Sequence, residues 1–116
     1  MTLYITALNW DELSKKFKIS RGYRYIDIDN LIKVNGLKLS REIHQFVLNQ
    51  EIKRTFEKYI RYSYFPCKGI IYKNSNVCSE TIEAIREFSN KIICLDHWEN
   101  PLLERIFENC DEVIRI

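Results

Sequence analysis

The chain has 116 residues, 46% hydrophobic and 29% charged, which is the balance of one globular domain and excludes a disordered or fibrous chain. Its net charge of +2 names no partner. No apolar run approaches the ~20 residues of a membrane span. The apolar start is short and is followed by Asn9, Trp10, Asp11 and Glu12, which is not a signal-peptide pattern. Cysteines 67, 78, 94 and 110 form no C-x-x-C pair and match no zinc spacing, so the expectation is a reduced, intracellular, cytoplasmic chain. Ile, Lys, Asn and Tyr are abundant while Gly, Ala and Pro are scarce, the bias of an AT-rich coding sequence such as that of a phage or virus.

In chain order, residues 3–7 (LYITA) read as a strand. Asn9 and Glu12 have capping-box spacing, and Trp10, Leu13 and Phe17 share one helical face, with Arg21-Gly22 as the stop. Residues 23–28 (YRYIDI) are aromatic and β-branched, a second strand. Asn35-Gly36 marks a turn or helix end, and Ser40 caps a long helix over about 41–62. Its apolar face is expected from Ile43, Phe46, Val47, Ile52, Phe56, Tyr59 and Ile60. Residues 69–72 (GIIY) form a third strand, and Ser79 caps a helix with Ile82, Ile85 and Phe88 inward. Residues 92–95 (IICL) are apolar throughout, as in a strand covered on both faces. Asn100-Pro101 opens a short helix with Leu103, Ile106 and Phe107 inside, and residues 112–116 (EVIRI) close the chain as a strand.

Strict β-α alternation predicts a single α/β domain over 1–116. Its architecture is a three-layer α/β/α stack with about five mostly parallel strands, Rossmann-like or P-loop-kinase-like. Ligands of such sheets bind beyond the carboxyl ends of the strands, where strand order reverses. That rule singles out Leu8-Asn9, residues 27–30, 73–76 and 96–100.

The run Tyr25-Ile26-Asp27-Ile28-Asp29-Asn30-Leu31-Ile32, then Gly36, then Ser40-Arg41-Glu42-Ile43, resembles the small P-loop kinases of the shikimate-kinase-like group. Residues 91–96 resemble that family's fourth strand, and Asp111-Glu112-Val113-Ile114 its last. The family carries G-x-x-x-x-G-K-[ST] after strand one, where glycines let backbone amides wrap phosphate. Here that place reads Leu8-Asn9-Trp10-Asp11-Glu12-Leu13-Ser14-Lys15-Lys16, with no glycine. The resemblance therefore implies a kinase-like scaffold that has lost its nucleotide loop.

Asp27 and Asp29 stand out chemically. At a strand's carboxyl end both carboxylates can converge on one Mg²⁺. The same D-x-D resembles the haloacid-dehalogenase-type phosphohydrolases, with Ser75 in place of their early Ser and Leu31 where they carry Thr. The bland reading is that both carboxylates cap the next helix or pair with Arg21 and Arg24. Lys15, Lys16, Lys18, Arg21 and Arg24, interleaved with Phe17, Tyr23 and Tyr25, could hold phosphates and stack the bases of single-stranded nucleic acid, or be a solvated face. Cys94 reads as a buried thiol, His97 and Trp98 as loop residues, and His44 as a surface or boundary residue. Tyr59, Tyr62, Tyr64 and Phe65 with Arg61 form a candidate protein interface.

The leading functional expectation is a non-catalytic interaction or adaptor domain with a protein partner, no confident cofactor and no membrane. Homo-oligomerisation is open, because charge is segregated between a basic and an acidic part. The alternatives are a small Mg²⁺-dependent phosphotransferase or phosphohydrolase using Asp27 and Asp29, and a nucleic-acid binder using the 15–24 stretch.

Overall fold

A computed structural model describes residues 2–17, 23–61 and 69–116, with the backbone alone for 55–61. The elements are β1 (Thr2–Thr6), α1 (Trp10–Lys16), β2 (Tyr23–Asp27), α2 (Ile28–Asn35), α3 (Arg41–Arg61), β3 (Gly69–Lys73), α4 (Ser79–Arg86), β4 (Lys91–Asp96), a 3₁₀ helix (Glu104–Asn109) and β5 (Glu112–Arg115). The five strands form one parallel sheet in the order β2-β3-β1-β4-β5. This is the α/β fold that the alternation predicts. β1 is central, with Leu3 opposite Ile70 on one side and Ile92 on the other.

Strand side chains alternate between the two faces with period two. Leu3, Ile5, Ile26, Ile70, Tyr72, Ile92 and Cys94 join one core cluster with Ile28 of α2, Leu48 of α3, Ile82 and Ile85 of α4, and Ile106 of the 3₁₀ helix. Ile71, Ile93 and Leu95 point the other way and meet Leu8 and α1's Leu13, with Tyr4, Tyr23 and Tyr25 packed around them. The apolar run of β4 is thus buried on both faces, as its sequence implies. Among the described residues no helix is long and apolar enough to cross a membrane.

Four local expectations are corrected. The second strand ends at Asp27, and Ile28 begins α2, a helix that the sequence reading lacks. Its signals are in place: Asp27 accepts from the Asn30 amide, Asp29 and Lys33 complement the helix dipole, and Gly36 closes the end with φ 62°. The N-cap of α4 is Cys78, not Ser79. The 100–109 segment begins as a loop and turns 3₁₀ only at Glu104, because the Asp96 carboxylate gathers the amides of His97, Leu102 and Leu103 around itself. Among the described side chains of α3 the fully buried positions are His44 and Leu48, one turn apart, whereas Phe46 faces outward and is 58% exposed. The Arg21-Gly22 stop, Cys67 and the side chains of Phe56, Tyr59 and Ile60 lie outside what the structure describes.

Gly69 starts β3 where a Cβ would stand 2.6 Å from the Thr2 carbonyl oxygen and 3.2 Å from the Tyr23 ring. Gly69→Ala must therefore push β1 and β3 apart at their first paired residues. The expected loss is about 1–3 kcal/mol, read as a fall of several degrees in the thermal midpoint. An unchanged midpoint would contradict this packing.

Candidate functional site

The carboxyl ends of β1, β2, β3 and β4 bring Thr6, Asp27, Lys73 and Asp96 to one edge of the sheet. Strand order reverses about β1, since the chain leaves β1 for β2 on one side and crosses from β3 to β4 on the other. Three groups of polar side chains occupy this edge and the core behind it.

The first group holds the acidic pair. Asp27 uses one carboxylate oxygen to cap α2. Asp29 Oδ2 accepts from Lys73 Nζ at 2.6 Å, from the Ser75 amide at 2.9 Å and from the Ser75 hydroxyl at 2.5 Å. Lys73 Nζ also lies 3.6 Å from Asp27 Oδ1. The ammonium thus serves both carboxylates from the adjacent strand, where Asp27 and Lys73 are register partners. Burial by itself would raise the Asp29 carboxyl, but the hydrogen bonds from Lys73 and Ser75 outweigh it and hold the group below its ordinary range. Burial by itself would lower Lys73, and its bond to Asp29 reverses that. The bland reading anticipated the helix cap but named Arg21 and Arg24 as partners. Arg24 instead bonds Glu51 of α3 at 2.7 Å, and Arg21 lies outside the described residues.

The second group is a buried chain behind β1 and β3. The Asn74 amide donates to the Thr6 carbonyl at 2.9 Å, and Asn74 Nδ2 to Thr81 Oγ1 at 3.4 Å. His44 links Thr81, 3.3 Å from Nε2, to the Tyr72 hydroxyl, 2.5 Å from Nδ1. His44 is therefore not a surface residue: it is 2% exposed, and it is tolerated inside because both ring nitrogens are bonded. A neutral imidazole has one donor and one acceptor nitrogen, and two hydroxyls can match either order. Burial pushes His44 down to about 4 and raises the Tyr72 phenol, so both are neutral near pH 7.

The third group lies where β1 and β4 part. Asp96 is fully buried and accepts from three loop amides at 2.8–3.1 Å. His97, at the loop as expected, places Nε2 2.9 Å from Glu12 Oε2 of α1. Trp10 stacks edge-on against Tyr25 with ring centroids 5.1 Å apart, and Trp98 stands 68% exposed. Among the described residues, no buried side-chain nitrogen or oxygen lacks a hydrogen-bond partner, and no group of three or more His, Cys, Asp or Glu is arranged to hold a metal ion.

The remaining candidates are dispersed. Lys15 and Lys16 are exposed in the last turn of α1, and Lys18 lies outside the described residues. Phe17, Tyr23 and Tyr25 pack into the second core cluster. Of the proposed interface, Tyr62, Tyr64 and Phe65 lie outside the described residues, as do the side chains of Tyr59 and Arg61. Sequence reasoning missed Lys73 as the partner of the acidic pair and His44 as a core residue. The signal for Lys73 was its place one residue past an apolar strand, at the same edge as Asp27.

Two outcomes follow. Between pH 6.5 and about 4 the unfolded chain holds a proton on residue 44 that the folded chain refuses, so stability must fall as pH falls through that window. The His44 contribution to the slope is about 1.4 kcal/mol per pH unit, measurable by urea unfolding, and it should vanish in His44→Gln. If the two proteins show equal slopes, or if NMR finds the His44 ring protonating near its ordinary value, the assignment fails. Lys73→Met leaves two carboxylates uncompensated and should cost about 2 kcal/mol. Adding Asp29→Asn should restore much of that loss, and failure to do so would contradict the shared ion pair.

No protein-family model matches the chain, and no curated protein and no solved structure matches it either.

Proposed function

We propose that the chain is a non-catalytic protein-interaction domain on a kinase-like α/β scaffold without a phosphate loop, and that its contact face is the groove between α2 and α3. The observation that carries this reading is a groove of about 270 Å³ with an apolar wall that includes Leu31, Leu37, Phe46 and Val47 and a polar end at Gln50, Glu51 and Arg54. Leu31 of α2, Leu37 just after it and Phe46 of α3 are 37%, 45% and 58% exposed there, and Val34 of α2 is 73% exposed. One exposed leucine needs no explanation, but four large apolar side chains on α2, α3 and the connection between them are the mark of a surface that meets another protein.

The polar edge of the sheet supports the same reading from the other side. Asp96 spends both carboxylate oxygens on loop amides. Asp29 spends Oδ2 on Lys73 and Ser75, so a Mg²⁺ ion taking that oxygen would have to displace the Lys73 ammonium. Where the kinase-like family has its phosphate loop, this chain buries Leu8 and stacks Trp10 on Tyr25. The groove runs along α3 as far as Arg54.

A photo-crosslinking residue placed at Val34 or Phe46, in cells that make the protein, should capture one discrete protein. The same residue at Glu108 on the 3₁₀ helix should capture none. Leu31→Ser with Phe46→Ser should keep the thermal midpoint within a few degrees and abolish the adduct. Equal labelling at both faces, or an adduct that survives the double substitution, would overturn the assignment.

A further inference from the structure

Exposed apolar side chains and uncompensated charge fall together at two places, one toward each edge of the sheet. The first is the groove surface, which the Glu51–Arg24 bond anchors to the edge strand β2. Around Leu31, Val34, Leu37 and Phe46, the helices and their connection carry Lys33, Lys38 and Lys53. All three are exposed and make no ion pair among the described residues. Arg41 nearby is already taken by Glu83 and Glu87. The second place is the loop after β4. Trp98 and Leu102 stand out into solvent there. Glu99 and Glu104 are exposed beside them, again without an ion pair among the described residues. Arg105, the nearest cation in sequence, turns back to the Val77 carbonyl at 3.0 Å. The Trp98 amide donates at 2.9 Å to the carbonyl of Ile116, just beyond the other edge strand, β5. Four strand spacings, about 19 Å, separate the two edges.

The two surfaces complement each other. Both expose large apolar side chains, which gain by leaving water together. The charges beside those side chains are opposite in sign, lysines on one surface and glutamates on the other. Each surface therefore repels its own kind and attracts the other. The loop is ordered in advance, because the Asp96 carboxylate holds the amides of His97, Leu102 and Leu103. Docking it costs little conformational entropy, and an indole on a fixed backbone is the kind of anchor that carries binding energy. With its loop tied to β4 and β5 and its groove at β2, no chain can cover its own groove. A second copy can.

We propose that the groove between α2 and α3 receives the 98–104 segment of a second copy of this chain. This rests on the reading of the groove as a contact face and names its occupant. Trp98 and Leu102 of one copy lie against Leu31, Leu37 and Phe46 of the next, and Glu99 and Glu104 face Lys33, Lys38 and Lys53. The contact joins unlike surfaces, so each copy gives its loop to one neighbour and its groove to another, and association runs head to tail.

The test is analytical ultracentrifugation of the wild-type chain and of two variants. Leu31→Ser with Phe46→Ser spoils the groove, and Trp98→Ser with Leu102→Ser spoils the loop. The wild-type average mass should rise with protein concentration, and each variant alone should stay monomeric with an unchanged circular dichroism spectrum. Mixed in equal amounts, the two variants should form a pair and stop there, because one intact groove and one intact loop remain. Lys33→Glu with Lys38→Glu should weaken self-association about tenfold, and mixing that variant with Glu99→Lys, Glu104→Lys should restore it. These charge variants decide the question if an apolar substitution does not fold. A wild-type chain that is monomeric at every soluble concentration, variants that stay monomeric when mixed, or self-association of either apolar variant alone would each overturn the proposal. If the chain stays monomeric while a crosslinker at Phe46 captures a different protein, the groove reading stands and its occupant here is wrong. If that crosslinker captures nothing, both fall.

Discussion

The structure depends on one constraint: a polar group shut away from water must find a partner inside. A bare polar group in an apolar interior costs several kcal/mol, and a bare charge costs more. This sheet draws Thr6, Asn74, Asp96, His44 and Thr81 inside, and each is bonded to another protein group. The bonds join elements far apart in sequence. The Thr6 carbonyl ties β1 to the loop after β3, and His44 ties α3 both to β3 and to the first turn of α4.

That closure shapes the sheet's carboxyl edge. In α/β proteins this edge is where ligands enter, and its chemistry needs groups with unsatisfied capacity. Here part of that capacity is taken up internally. Lys73 pairs with both carboxylates of the acidic pair, Asp96 organises the loop after β4, and His97 meets Glu12. Apolar side chains are exposed both at this edge, at Trp10, Trp98 and Leu102, and around α2 and α3, at Leu31, Val34, Leu37 and Phe46. The surface around α2 and α3 is the one that supports the proposed binding role.

Much of the fold is legible in the sequence. The five strands announce themselves by β-branched and aromatic runs, and the face alternation of Leu3, Ile5, Ile70 and Ile92 follows from period two alone. α2 was hidden because Asp27 and Ile28 extend a strand pattern, while the helix signals at Asp27 and Gly36 are nine positions apart around a short, largely exposed segment. The 3₁₀ segment was misread because Asn100-Pro101 is a sound helix start, and only the buried carboxylate of Asp96, four residues before Asn100, overrules it. The site was legible in part. Asp27 and Asp29 do stand together at a strand end, but their cation comes from β3, forty-four residues beyond Asp29, and parallel register is not readable from local pattern. His44 was placed at the surface because a polar residue beside a helical stripe reads as its boundary. Its two buried hydroxyl partners exist only in three dimensions.

The central claim is that Lys73 already fills the cation position of the acidic pair. The direct measurement is an amide NMR titration of the labelled protein with Mn²⁺, which broadens signals close to wherever it binds. The account predicts that residues 27–30 and 73–76 keep their line widths at stoichiometric metal and show no more broadening than exposed acidic sites elsewhere. Selective broadening of those two segments at low metal would contradict it and would return Asp27 and Asp29 to the position of a metal centre.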